Sequence, residues 1–280
     1  MDNTYICDEC KCIFRVKDIT GDKCINCGGS ITETDNYDYK DYSILPFNYS
    51  LEDAKKIYRK KIRFNFLLPI IYRKKSTISN IKKIYVPCYL YDVNVNGKIS
   101  FYGVDRIKNI NNVPDQKFEV LHDVDVNYNN LLVSGVDIIT DEIISSINDY
   151  KFDEIKDYNE EDINNTYLLT MNKNEKDIKE FIKTKANNNV LNIVKSNVEH
   201  ELKKLNTNES KVKISNSRKV LVPIYSLNIK YKDNDYIFYM NGNTGKETID
   251  YVSSRLSMII FFIIVFIIVF ILSIIISFLL

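Results

Sequence analysis

The residues with the clearest chemistry are Cys7, Cys10, Cys24 and Cys27, two Cys-x2-Cys pairs separated by thirteen residues, the second running into Gly28-Gly29. A tetrahedral zinc ion takes four thiolates, two from each tight knuckle, and the stretch from Ile13 to Asp22 is long enough for a hairpin between them. The spacing predicts a zinc ribbon over residues 1–35 holding a structural Zn2+. A segment this small cannot bury enough surface to fold alone, so metal binding would supply its folding free energy. Disulfides would need an oxidising compartment, and a redox Cys-x-x-Cys would need a thioredoxin-like βαβ unit, which the pattern lacks. Cys12 could replace Cys10 only through a poorer Cys-x-Cys knuckle and is read as a bystander. Cys88 falls in an apolar strand and reads as a small core residue.

Other groupings fall short of a reaction. His200-Glu201 lacks the second histidine of a zincin, because Lys204 stands where it would be, and His122-Asp123 lacks the glutamate of a deaminase signature. The run Asn241-Gly-Asn-Thr-Gly-Lys246 has two residues between its glycines where a phosphate loop has four, and Glu247 follows the lysine. It reads as a glycine-supported turn. Pairs such as Glu160-Glu161 lie in polar, solvated sequence. No nucleophile, base and orienting group can be assembled, so no catalytic residue is assigned and the chain is not expected to be an enzyme; an active site built from scattered polar residues is the alternative.

Charge narrows the partners. The whole chain is balanced, with 38 basic and 37 acidic residues, but residues 1–40 hold eight acids against five bases. Four thiolates around zinc add further negative charge, the wrong sign for phosphate contacts, so nucleic acid is not expected as a partner, and a nucleic-acid-binding ribbon is the alternative. Residues 52–83 carry eleven Lys and Arg against two acids, whereas 115–162 carry fourteen acids against three bases. The two stretches suit each other or solvent, and the basic one also suits anionic lipid headgroups.

From Leu256 to Leu280 only Ser257, Ser273 and Ser277 are polar, and no charge follows Arg255. At about 1.5 Å per residue this helix covers roughly 37 Å, more than a hydrocarbon core of about 30 Å. It predicts a single transmembrane helix over 256–280 in a tail-anchored arrangement. Lys246 and Arg255 on its N-terminal side, and no signal-peptide pattern at the start, place the body in the cytoplasm.

Between ribbon and anchor, residues 36–252 read as one α+β body. Ser50 and Asp53 form a capping box that opens a helix through Arg63. Two similar hairpins are expected at 84–103 and 219–240, each starting Val-Pro-x-Tyr. The first turns at Asn96-Gly97, a strong two-residue turn signal, and the second at 232–235. A β-prone stretch at 117–126, a helix around 141–150 and a long amphipathic helix from Lys176 to Leu205 complete the antiparallel hairpin body with packed helices.

These pieces resemble a bacterial family of uncharacterised membrane-anchored zinc-ribbon proteins found in Firmicutes, described as containing a transcription-factor-type zinc ribbon. Corresponding features are the Cys-x2-Cys pairs, Leu45-Pro46-Phe47 before Ala54-Lys55, Tyr85-Val86-Pro87 with Leu90-Tyr91-Asp92, Val222-Pro223, and Asn241-Gly242 with Thr244-Gly245-Lys246. The last group is similar to the strand-closing turn of PepSY-type modules. Tyr89 stands where that family usually has tryptophan, and the central helical region diverges. The resemblance implies the architecture and the zinc ligands Cys7, Cys10, Cys24 and Cys27, and no reaction. The expected role is therefore a membrane-tethered scaffold or interaction module with the lipid bilayer and a protein as its partners.

Overall fold

A computed structural model of the chain describes residues 3–16, 23–24, 27–34, 38–105, 116–163, 165–197 and 202–279. In chain order, strands β1 (Asn3–Cys7), β2 (Ile13–Val16), β3 (Ile31–Thr34) and β4 (Tyr42–Ile44) precede helices α1 (Leu51–Ile62) and α2 (Lys75–Ser79). Two long strands follow, β5 (Lys82–Asp105) and β6 (Gln116–Ser134), then α3 (Asp141–Ser146), β7 (Lys156–Asp157), β8 (Tyr167–Leu169) and α4 (Glu175–Asn197). The chain continues through β9 (Leu202–Asn208), β10 (Lys211–Tyr231), β11 (Asn234–Asn241), β12 (Glu247–Ile249) and α5 (Arg255–Leu279). The class is α+β with mixed strand pairing.

The chain divides into two compact units that interleave in sequence: Met1–Pro87 with Ile138–Met171 and Leu221–Leu280, and Cys88–Asp137 with Asn172–Val220. Strands β5 and β10 each pass from one unit into the other. The cysteine segment belongs to the first unit, where β2 pairs antiparallel with β8 and β8 pairs parallel with the start of β5 at Ile84 and Tyr85.

In the first unit, α1 forms where the sequence cue places it. Ser50 Oγ accepts from Asp53 N at 3.2 Å and Asp53 Oδ2 accepts from Ser50 N at 3.2 Å, closing the capping box. The buried face of α1 is Ala54, Tyr58 and Ile62, one residue per turn, packed with Leu68, Tyr72 and Ile78 against Tyr225, Leu227, Ile229, Phe238 and Met240 of β10 and β11. A chain without tryptophan builds this core from tyrosines, and each buried hydroxyl then needs an acceptor. Tyr58 donates to Tyr72 O, Tyr72 to Asp250 O and Tyr225 to Tyr49 O, all at 2.8–2.9 Å. Tyr58→Ala is expected to cost about 3–5 kcal/mol through the cavity it leaves. Tyr58→Phe should cost only about 1 kcal/mol through one lost hydrogen bond. Denaturant melts of the two variants measure the difference, and near-equal losses would mean that the hydroxyl, not the ring, carries the site.

The hairpin expected at 219–240 is present. Strands β10 and β11 pair from Ile224 and Asn241 to Tyr231 and Asn234, and Lys232 takes φ +57° in the two-residue turn. The hairpin expected at 84–103 is not. In the second unit β5 runs straight through Asn96-Gly97, which pair with Asp125 and Val124 of β6, and the return to β6 comes only after Asp105. Gly97 serves close approach instead of a turn. Its φ is +147°, and a Cβ there would lie 2.6 Å from Glu209 O and 2.7 Å from Ser210 Cα, in the turn joining β9 to β10. The stretch expected at 117–126 is the first half of β6.

Between the Tyr91–Leu131 and Val93–Tyr128 pairs, Asp92 of β5 faces two residues of β6, Asn129 and Asn130, a bulge in β6. The Asp92 carboxylate accepts from the N–H of the bulged Asn130, which sits at φ +58°. Helix α4 packs beside β6 through Ile178, Ile182, Ala186, Val190 and Val194. It ends at Asn197, short of the expected Leu205, because from Leu202 the backbone pairs with β5, Leu205 lying opposite Phe101. Val198 lies outside the described residues.

Candidate metal centre

The two knuckles share one pattern of turn hydrogen bonds. In the first, Lys11 N donates to Cys7 O (3.1 Å) and Cys7 N to Cys12 O (2.9 Å); in the second, Gly28 N donates to Cys24 O (3.0 Å) and Cys24 N to Gly29 O (2.8 Å). Each turn closes on a residue in the left-handed region, Lys11 at φ +56° and Gly28 at φ +81°. Glycine adopts that conformation without penalty and lysine at some cost. Asp8 N donates to Ser30 O at 3.0 Å, fastening one knuckle to the other, and the β1–β2 and β1–β3 ladders carry both.

The result is a four-sulfur cluster. Cys7 Sγ lies 3.5 Å from Cys27 Sγ, Cys10 Sγ lies 3.5 Å from Cys24 Sγ, and all four sulfurs fall within 4.8 Å of one another. A disulfide would bring two of them to about 2.05 Å. A tetrahedron with metal–sulfur bonds of about 2.3 Å has edges of about 3.7–3.8 Å, so the donor set fits a tetrahedral, thiophilic ion. Backbone N–H groups of Cys10 and Gly29 point at Cys7 Sγ and Cys27 Sγ at 3.5 and 3.4 Å, stabilising negative sulfur. Burial raises the Cys7 thiol, but the N–H groups of Cys10 and Glu9 outweigh it and hold the group down at about 7. Burial pushes the Cys27 thiol up. Cys12 is buried with its sulfur toward Ile13 O at 4.0 Å, outside the cluster, and its thiol is raised by burial first and by the neighbouring cysteines second. Cys88 is fully buried, as expected of a core residue.

A groove of about 620 Å³ opens beside this cluster within the first unit. Its lining includes Cys24, Cys27 and Gly28, the half-buried Ile71, Ile138 and Ile237, and the cationic side chains of Lys23, Lys82 and Lys230. Lys82 lies with Nζ 6.0 Å from the centre of the Tyr167 ring, and burial depresses its pKa while Cys24 and Cys27 oppose that shift. No local pattern announces this groove, since its lining is assembled from segments far apart in the chain.

The remaining sequence candidates do not converge on a site. His122 is half-buried in β6 opposite Ile99, and His200-Glu201 lies outside the described residues, as do residues 17–22 of the expected ribbon hairpin. The Asn241–Lys246 turn joins β11 to β12, and its N–H groups are already used. Asn241 Oδ1 accepts from Asn243 N (2.8 Å) and Thr244 N (3.2 Å), and Asn241 O accepts from Gly245 N (2.9 Å). Asn243 Nδ2 and Asn48 Nδ2 both donate to Glu154 Oε2 at 2.7 Å. The Asn48 amide, then the Asn243 amide, holds Glu154 below the usual carboxylate range. This is a brace around the turn, hidden in the sequence because its partners come from three distant segments. In the basic stretch, Lys55, Lys56 and Lys61 pair with Glu52, Asp53 and Glu247. Glu160 pairs with Arg15 at 3.6 Å.

Helix α5 is long and apolar enough to cross a membrane, and among the described residues none of its apolar stretch is buried. No family model matches the chain, and no solved structure does. The uncharacterized protein YdjG of Bacillus subtilis (strain 168) is similar over 209 residues at 22% identity, covering 72% of this chain. The chain spans 61% of that protein's length.

Proposed function

We propose that the protein is a membrane-tethered, non-enzymatic interaction module: a zinc ribbon of the transcription-factor type, carried on an α+β body, that engages a protein partner at the cytoplasmic face of a membrane crossed by α5. The groove lined in part by Cys24 and Cys27 carries this reading, because half-buried Ile71, Ile138 and Ile237 stand there with three lysines beside the metal site. Such a surface fits an acidic, partly apolar segment of another protein. Four thiolates would complete the coordination of zinc, leaving no open position for substrate, so the ion's role is structural. Free thiols and zinc suit a reducing compartment, which supports a cytoplasmic body. Asp8, Glu9 and Glu33 beside the knuckles and strands weigh against a nucleic acid as the partner.

Photo-crosslinking in cells tests the groove. A photoreactive residue at Lys230 is expected to give a discrete crosslinked species that is absent when the same residue replaces Asp233 in the hairpin turn and lost on Cys24→Ser. Crosslinking that is indifferent to position, or none at all, would contradict the reading.

A further inference from the structure

The loop that follows α1 groups large apolar side chains at the surface. Phe64 is 72% exposed, Phe66 59% and Ile70 64%, within seven residues of one another. Solvation is a poor home for three such side chains grouped together. The loop is nevertheless held firmly. Leu68 is buried in the core, and the Arg73 guanidinium donates to the carbonyls of Ile62, Asn65 and Leu68 at 2.5–3.3 Å. The exposed rings are thus presented by a fixed backbone.

That backbone is attached to the start of α5. Leu67 O accepts from Ser254 N at 2.9 Å and Leu68 O accepts from Ser257 Oγ at 3.1 Å. The same stretch exposes Arg59, Lys60, Arg63, Lys74 and Lys75. Where α5 enters a bilayer, Ser254 to Ser257 lie near the boundary between headgroups and acyl chains, and the loop must lie there too. Aromatic rings with flanking cations are the composition that binds this boundary.

We infer that residues 59–75 form an interfacial foot: Phe64, Phe66 and Ile70 enter the bilayer beside α5, and the exposed Arg and Lys side chains meet the phosphates of an anionic leaflet. The foot would fix the body's height and tilt above the membrane, which a single helix cannot do. The inference rests on the reading of α5 as a membrane span, and the test separates the two.

Because the chain has no tryptophan, Phe66→Trp and Phe266→Trp each give a full-length protein with a single tryptophan, one reporting on the loop and one on the span. Both are reconstituted in phosphatidylglycerol vesicles and, separately, in phosphatidylcholine vesicles, with lipids brominated near the headgroup or deep in the acyl chain. The Phe66→Trp protein is expected to show blue-shifted emission lost mainly to shallow bromines, more strongly in phosphatidylglycerol. Emission of the Phe266→Trp protein should be lost mainly to deep ones. Quenching in the Phe266→Trp protein alone would overturn the foot and leave the span. Quenching in neither protein would overturn both, and loop-reporter quenching equal in the two lipids would overturn the part given to the basic side chains.

Discussion

Cys24→Ser is expected to abolish metal binding and to unfold the β1–β3 segment while leaving the hairpin of β10 and β11 folded. The expectation follows from how little else holds that segment. Phe14 and the ladder to β8 supply packing, but the two knuckles are fastened mainly by turn hydrogen bonds around the sulfurs. Structural zinc contributes about 10–16 kcal/mol of apparent binding free energy in small fingers, far more than such a segment could recover from its own core. Limited proteolysis should cleave the variant within the cysteine segment under conditions where the wild type resists, and chelation of the wild type should reproduce that pattern. A variant that resists like the wild type would show that the fold does not depend on the ion. Cys12→Ser serves as the control. Its sulfur stands outside the cluster, so it should lose stability modestly and retain the metal.

The double substitution Ile264→Arg with Ile268→Arg is expected to release the protein from membranes. Each arginine near the centre of a span costs about 2.5–3.5 kcal/mol on insertion scales, and two on adjacent turns exceed what snorkelling can relieve. The wild-type chain should stay with the membrane pellet after alkaline carbonate treatment and the double variant should move to the supernatant. Retention of both would remove α5 as the anchor.

The features legible in the sequence are those whose cause is local. Cysteine spacing dictates the knuckles, because two thiols three residues apart can face one ion only through a tight turn. Ser50 and Asp53 mark the start of α1 because the capping bonds lie within one turn of each other. Lys232-Asp233 turns the chain because the strands on either side stay in register right up to it. Asn96-Gly97 points to a turn for the same reason: the dipeptide is a local signal, and what overrides it is continuous pairing with β6, remote in the chain, while the glycine leaves room for the Glu209 backbone. The end of α4 is ambiguous in the sequence because the apolar residues near Leu205 suit a strand as well as a helix, and pairing with β5 decides between them. Its packing face is partly hidden too, since Ala186 and Val190 are buried where the bulkier Phe181 and Leu191 suggest a different stripe. The interleaving of two units has no sequence cue at all, because the pairing of β2 with β8 joins Phe14 to Leu169 across most of the intervening chain. The Phe64 to Ile70 loop has an apolar composition in plain view, but only its hydrogen bonds to Ser254 and Ser257 connect it with α5.

Metal analysis of the purified protein shows whether the four cysteines hold an ion. About one zinc per chain is expected, retained through dialysis and lost on Cys24→Ser. Zinc well below one equivalent in protein kept reduced throughout purification, or the same content in wild type and Cys24→Ser, would contradict it.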